Sequence, residues 1–287
     1  MKIAIMTDLE GVAGVVNQKD WIHPDSVYYE QGKILLTEEV NAAIRGFFDA
    51  GADEIVVIDG HGYGAINTLL LDKRALYSRG WGVPYQFGLN DNFDAIAWIG
   101  QHAKAGTMES HISHTGNFGV LEKRINGISI GEYGQYTMIS GFYGVRTIFA
   151  SGERALTKEV KSLTPWVHTV EVKYGVTRDN GANCTAEEYA DHNLGAVHVH
   201  PEVARERIYK GAKEALLDFI ANREKFEIFC PKPPYIQEMW LRKSENRPAQ
   251  KWINRHDTDI VKMCSSEPEI LAEGKYEAPY IFKTLDD

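Results

Sequence analysis

Cysteine is scarce in this 287-residue chain. There are three, Cys184, Cys230 and Cys264, and no two have the Cys-x-x-Cys spacing of a zinc knuckle or redox pair. Such an odd, scattered set reads as buried reduced thiols, which fits a reducing compartment. Long hydrophobic runs are missing too. No stretch approaches the roughly 20 apolar residues that span a bilayer. The apolar run at the N terminus stops at Asp8, too short for a secretory signal. Positive charge is in deficit: 31 Lys and Arg face 40 Asp and Glu, a net charge of -9. That balance argues against nucleic-acid binding, which needs a basic surface, and against docking on an anionic membrane. The sequence has no internal repeat and no low-complexity tract. What is left is ordinary globular composition, 44% hydrophobic and 25% charged. It suffices for one large or two modest domains. The cytoplasm is the expected location.

The first half alternates strand-like and helix-like segments. Lys2–Thr7 is a short apolar run without helical period, hence a buried strand. Residues 37–50 predict a helix, with Thr37 as N-cap, Val40, Ile44, Phe47 and Phe48 on one face, and Gly51 as its stop. Further strands are expected at 54–58, 94–99, 127–130 and 145–150. This rhythm predicts an α/β fold with a mainly parallel sheet, and residues 1–150 are expected to form the domain that carries the site. Residues 151–287 are expected to be a smaller α+β region that shapes the pocket and the oligomer. In it, a helix is predicted at 153–162, a strand at 169–173 and a loop at 179–195. A long helix opens at Pro201, with Val203, Ala204, Ile208, Ala212, Ala215, Leu216, Phe219 and Ile220 in register, and another strand is expected at 259–263.

Metal-ligating residue types recur where these strands end. Asp8-Leu9-Glu10 follows the first strand, and alternate residues on an extended backbone project together. Ligand sites in open α/β sheets lie at that carboxyl end. Asp59-Gly60-His61 follows the second strand, Gly100-Gln101-His102 the third, and Gly131-Glu132 the run at 127–130. One such motif is weak, but several in succession predict a metal site made of Asp8, Glu10, His61, His102 and Glu132. Mixed oxygen and imidazole donors suit zinc, and also manganese, cobalt or ferrous iron. Five ligands exceed the three of a single catalytic zinc. Two ions that share Asp8 account for all of them, and such a pair activates water and polarises a carbonyl.

Other readings compete. Gly60-His61-Gly62-Tyr63-Gly64-Ala65 formally matches the dinucleotide fingerprint G-x-G-x-x-A, which leaves a non-hydrolytic nucleotide-binding protein open. The same metal core also suits hydrolysis of other amides or of phosphoesters. Asp59 is a candidate to orient His61. His198-Val199-His200 could aim two rings one way, but it stands far from the other ligands. Glu187, Glu188 and Asp191 read as a solvated acidic loop.

Asp8-Leu9-Glu10-Gly11-Val12-Ala13-Gly14, Thr37-Glu38-Glu39-Val40-Asn41-Ala42, Asp59-Gly60-His61, Gly100-Gln101-His102-Ala103-Lys104-Ala105-Gly106-Thr107 and Gly131-Glu132 occur in this order. Together they resemble the DppA-type zinc D-aminopeptidases over residues 1–160, and in pieces beyond. The resemblance implies a two-zinc aminopeptidase that hydrolyses short peptides with an N-terminal D-residue such as D-alanine. It further implies one metal on Asp8, Glu10 and His61, and a second on Asp8, His102 and Glu132. The peptide's amino group and scissile carbonyl would bind there. Ser113-His114-Thr115 matches the place of the family's catalytic histidine better than His111, so His114 is the expected acid–base group. Lys104, inside the matching segment, is a candidate to meet a substrate carboxylate or a developing oxyanion. Ring-shaped homo-oligomers are implied as well. The stretch 179–195 and the C-terminal region depart from the pattern.

Overall fold

The structure, a computed structural model, describes residues 1–80 and 88–273, so residues 274–287 of the expected C-terminal region lie outside it. Among the described residues the strands are β1 (Lys2–Thr7), β2 (Glu54–Asp59), β3 (Leu76–Ser78), β4 (Ala95–Gln101), β5 (Val120–Ile125), β6 (Ile128–Ser129), β7 (Arg146–Glu153), β8 (His168–Gly175), β9 (Ala196–His198), β10 (Tyr235–Leu241), β11 (Gln250–His256) and β12 (Glu269–Glu273). The α-helices are α1 (Gln18–Trp21), α2 (Tyr29–Asp49), α3 (Glu132–Phe142), α4 (Arg154–Leu163), α5 (Ala186–Ala190), α6 (Pro201–Ala221) and α7 (Ile260–Ser265).

The strands form two sheets. The larger has the order β3-β2-β1-β4-β7-β8-β9 and is parallel except for β9. The smaller, β12-β11-β10-β5-β6, is antiparallel. The expected α/β fold with a mainly parallel sheet is therefore present. Alternation along β1 shows how the large sheet is covered on both faces. Ile3 and Ile5 join the apolar cluster of α2 and α6, with Ile44, Phe47, Ile208 and Phe219. Ala4 and Met6 face the opposite cluster, with Tyr133, Leu156, Val160 and Ile260 of α3, α4 and α7.

Four local expectations need correction. The helix expected to start at Thr37 begins at Tyr29, and Thr37 lies inside it, donating to Lys33 O at 2.7 Å. Burial of Tyr29, Gly32 and Leu36, with Gly32 against the Leu9 side chain, carries the helix back by two turns. The run at 127–130 contributes only β6, which pairs with β5 in the small sheet, so it is not a fourth strand end of the large one. Residues 259–263 are not a strand. Asp259 instead caps α7 by accepting from Val261 N and Lys262 N at 2.9 and 3.0 Å. The loop at 179–195 contains α5, opened by a capping box of Thr185 and Glu188.

β1, β2 and β4 lie side by side, so Asp8, Asp59 and Gln101 come out at one edge. Asp8 N donates to Ile99 O at 2.9 Å and Gly11 N to Gly100 O at 2.7 Å, which stitches the chain leaving β1 onto the end of β4. Both glycines are required by this approach. A Cβ on Gly11 would stand 2.0 Å from Gln101 O, and one on Gly100, where φ is +76°, 2.1 Å from Asp8 O. The substitution Gly11→Ala is therefore expected to destabilise the fold by at least about 1–3 kcal/mol, the usual cost of overpacking. Urea unfolding of the purified variant measures it, and a midpoint equal to that of the natural sequence would refute the constraint.

Candidate metal centre

Two groups of metal-competent side chains stand at this edge. Asp8, Glu10 and His61 form one, and His102, His114 and Glu132 the other. Asp8, Glu10 and His61 come from the ends of β1 and β2, and His102 directly follows β4. Glu132 is the first residue of α3, and His114 lies in the loop before β5. Except for Glu132, which is partly exposed, all are buried.

Asp8 joins the groups. Its Oδ1 is 3.2 Å from His61 Nδ1 and its Oδ2 is 3.2 Å from His102 Nε2. Glu10 Oε2 lies 3.2 Å from His61 Nδ1. Glu132 Oε1 is 3.6 Å from His102 Nε2 and 3.7 Å from His114 Nε2. The His102 and His114 rings stack with centroids 4.1 Å apart, and Phe118 covers His114 at 4.6 Å.

Each ring engages a backbone carbonyl with its far nitrogen. His61 Nε2 donates to Ile22 O at 2.9 Å, His102 Nδ1 to Ala103 O at 2.8 Å, and His114 Nδ1 to Ile112 O at 2.9 Å. Those bonds fix the tautomers and leave the other nitrogen of each ring bare toward carboxylate oxygen. His102 Nε2 is buried and has no hydrogen-bond partner. A lone pair facing carboxylates in a buried site calls for a cation between them, either a proton or a metal. The titration behaviour expresses the same demand. Burial alone would lower His61 and His102, yet the carboxylates of Glu10 and Asp8 around the first, and of Glu132 and Asp8 around the second, raise both well above the usual range. Burial would raise Asp8, yet His102 and His61 hold it well below the usual carboxylate range.

Sequence reasoning missed some supporting groups. Gln101 Nε2 donates to Asp8 Oδ2 at 3.0 Å and Gly116 N to Glu132 Oε1 at 2.7 Å. The position of Gln101, between a strand end and His102, was the available signal. Asp59 does not orient the His61 ring. Its carboxylate accepts from Ala65 N, Ile66 N and the Tyr77 hydroxyl, and so shapes the turn after β2. No helix follows that turn, so Gly60–Ala65 lacks the strand–turn–helix context of a dinucleotide site. His111 stands outside both groups, with Nε2 donating to Val16 O at 2.9 Å, and burial pushes it down to about 2. His198 Nδ1 accepts from Gly14 N at 3.1 Å, and His200 caps α6. The Lys104 ammonium donates to Ser129 Oγ.

Residues 1–261 match the model of a peptidase family described as D-aminopeptidase. This chain belongs to that family. It is 32% identical over 183 residues to the D-aminopeptidase of Bacillus subtilis (strain 168), a match covering 62% of this chain and 65% of that one. The chain thus spans just under two thirds of this curated D-aminopeptidase. The fold is like that of a solved structure described as the Zn-dependent D-aminopeptidase DppA from Bacillus subtilis, a self-compartmentalizing protease. That match has a TM-score of 0.72 and 24% identity, and covers 85% of this chain and 82% of the other.

Beside the site, burial pushes Glu39 up to about 7, against the Ala13 N–H, Lys173 and Arg205, which pull the other way. Its Oε2 is buried without a hydrogen-bond partner. The folded value lies above the ordinary 4.5, so the folded protein keeps this proton longer than the unfolded chain does. The resulting stability is fully present below about pH 4.5 and is lost as pH rises through about 7. Glu39→Gln never ionises. Relative to the natural protein it should gain on the order of 1–3 kcal/mol between about pH 5 and about pH 8. Urea unfolding at both values tests this, and a difference that does not change with pH would contradict it.

Proposed function

We propose that this chain is a metal-dependent aminopeptidase that holds two zinc ions and hydrolyses short peptides, including those with an N-terminal D-residue. One ion would lie on Asp8, Glu10 and His61, the other on Asp8, His102 and Glu132. The observation that carries this reading is the shared aim of His61 and His102, each donating away from the site and presenting a bare nitrogen to Asp8. The spacing fits as well. Two donors about 2.0–2.1 Å from a tetrahedral ion stand roughly 3.3 Å apart, close to the 3.2 Å separations around Asp8. Manganese, cobalt and ferrous iron accept the same donors. When bound, the ions supply Lewis acidity that activates water and polarises a carbonyl.

The chain's own groups supply the rest. Gln101 Nε2 and Leu9 N hold the Asp8 carboxylate with one oxygen toward each histidine. The carboxylates of Asp8, Glu10 and Glu132 make the edge favourable to cations, which suits the two ions. His114 keeps its Nδ1 proton on Ile112 O, so Nε2 is the atom that takes up a proton and returns it. Among the described residues no helix is long and apolar enough to cross a membrane. We place the protein in the cytoplasm as a ring-forming homo-oligomer, with residues 1–150 carrying the site and the later region shaping the pocket. The free cysteines and the self-compartmentalizing relative support this placement.

Metal analysis of protein purified without chelator, followed by a panel of D- and L-aminoacyl p-nitroanilides and dipeptides, tests the proposal. About two equivalents of zinc and turnover of aminoacyl substrates are expected, and Asp8→Ala should lose both ions because it serves both. Less than about half an equivalent, with no gain on adding zinc or manganese, would sink the site. Metal without aminoacyl turnover would move the protein to hydrolysis of another amide or a phosphoester.

The role of His114 has a separate test. His114→Ala should lower turnover by roughly 10²- to 10⁴-fold with metal content near normal, and His111→Ala should be much milder. Full turnover in the first variant contradicts the assignment, and loss of metal makes His114 a ligand.

A further inference from the structure

Lys173 on β8 is 1% exposed, and nothing assigned above uses it. A buried ammonium is costly, and an apolar residue would fill the same space more cheaply if packing were its only task. Its Nζ donates to two backbone carbonyls, Glu10 O and, at 3.2 Å, Val15 O. These carbonyls bracket the loop that leaves β1, and the first belongs to a residue of the Asp8, Glu10, His61 group. Lys173 therefore pins both ends of that loop to β8, across the sheet from where the loop starts.

Opposite charges surround it. Burial pushes the Lys173 ammonium down to about 8, and the carboxylates of Glu153, Glu39, Glu10 and Asp8 pull the other way. Glu153 is its register partner on β7. The two carboxylates outside the site also hold backbone. Glu39 accepts from Ala13 N at 2.9 Å, in the same loop. Glu153 accepts from Ala103 N at 2.8 Å, next to His102, and from His111 N, on the way to His114. One buried cluster of Glu39, Lys173 and Glu153 thus ties down the main chain of the segments that deliver Glu10, His102 and His114.

We infer that Lys173 is a positioning residue for the first ligand group: its ammonium fixes the Glu10 peptide so that the Glu10 carboxylate meets His61 in a preformed cation site. This rests on the reading of that group as a zinc site. Lys173 touches neither substrate nor ion, so its effect should appear in zinc affinity at one site.

The test uses the full chain freed of metal by chelator, with zinc alone as the probe. Calorimetric titration gives the two binding constants, and circular dichroism gives fold and melting temperature. In Lys173→Met, one zinc constant should weaken about tenfold or more, the usual cost of losing a group that orients a ligand, while the other stays within about threefold. Lys173→Gln keeps an amide donor for the carbonyls, so it should fall between Lys173→Met and the natural protein, and it serves as the readout if the Met variant does not fold. A lowered melting temperature with both constants within about twofold of the natural protein, in either folded variant, would make Lys173 merely structural and overturn the inference. If the natural protein takes up no zinc, the metal reading fails first and this one falls with it.

Discussion

The Asp8 carboxylate lies between two imidazoles, one oxygen 3.2 Å from each, and the rest of the site is organised around that arrangement. His61 and His102 have already given their far N–H groups to Ile22 O and Ala103 O. Their near nitrogens therefore carry lone pairs, and those lone pairs look at carboxylate oxygen. Without a cation such a buried contact is repulsive, since both sides are acceptors. With one, the same atoms form a compact donor set. Gln101 and Leu9 then act as orienting donors to Asp8, and they keep its two oxygens from turning toward the same histidine.

The fold meets this demand through strand adjacency. β1 sits between β2 and β4 in a parallel sheet, so its carboxyl end is flanked by the two that deliver His61 and His102. A residue leaving β1 has no choice of neighbours. The distance between chains is set by Gly11 and Gly100, where a side chain would run into backbone oxygen. Glu132 arrives by a different route: it opens α3, just after the β5–β6 hairpin of the small sheet, and Gly116 N steadies its carboxylate. Two sheets therefore contribute to one cluster.

Part of this was legible in the sequence because strand ends follow a short-range rule. An apolar run that stops at Asp-x-Glu or Gly-x-His names both the strand and the residues leaving it, and Asp8, Glu10, His61 and His102 were found that way. Glu132 was found by the same rule applied to a strand that belongs to the other sheet, since pairing partners are a long-range property. The Asp59 role failed for a related reason. Nearness in sequence suggested that it orients His61, whereas the turn folds Ala65 and Ile66 back onto its carboxylate. Asp259 was read within a strand because a run of Ile, Val and Met has no visible period over so few residues, yet its side chain caps a helix. Lys173 falls in the expected strand at 169–173 and Glu153 opens the expected helix at 153–162, but the tethering role of neither could be read. Their partners are backbone atoms far away along the chain, and backbone atoms leave no trace in a residue pattern.

The buried charges behind the site bear on why the front of it can exist. A loop that must present Asp8 and Glu10 toward one another is pushed apart by its own carboxylates whenever the cation between them is missing. Backbone bonds from β4 hold its start, at Asp8 and Gly11, and the Glu39 carboxylate holds Ala13. The Lys173 ammonium adds two further bonds and a positive charge on the inner side of the loop. That charge lowers the repulsion between the Asp8 and Glu10 carboxylates, and it reaches them through the peptide of Glu10. Asp8 and Glu10 are thus steadied by a fixed charge behind the Glu10 peptide, apart from the position between their carboxylates and His61.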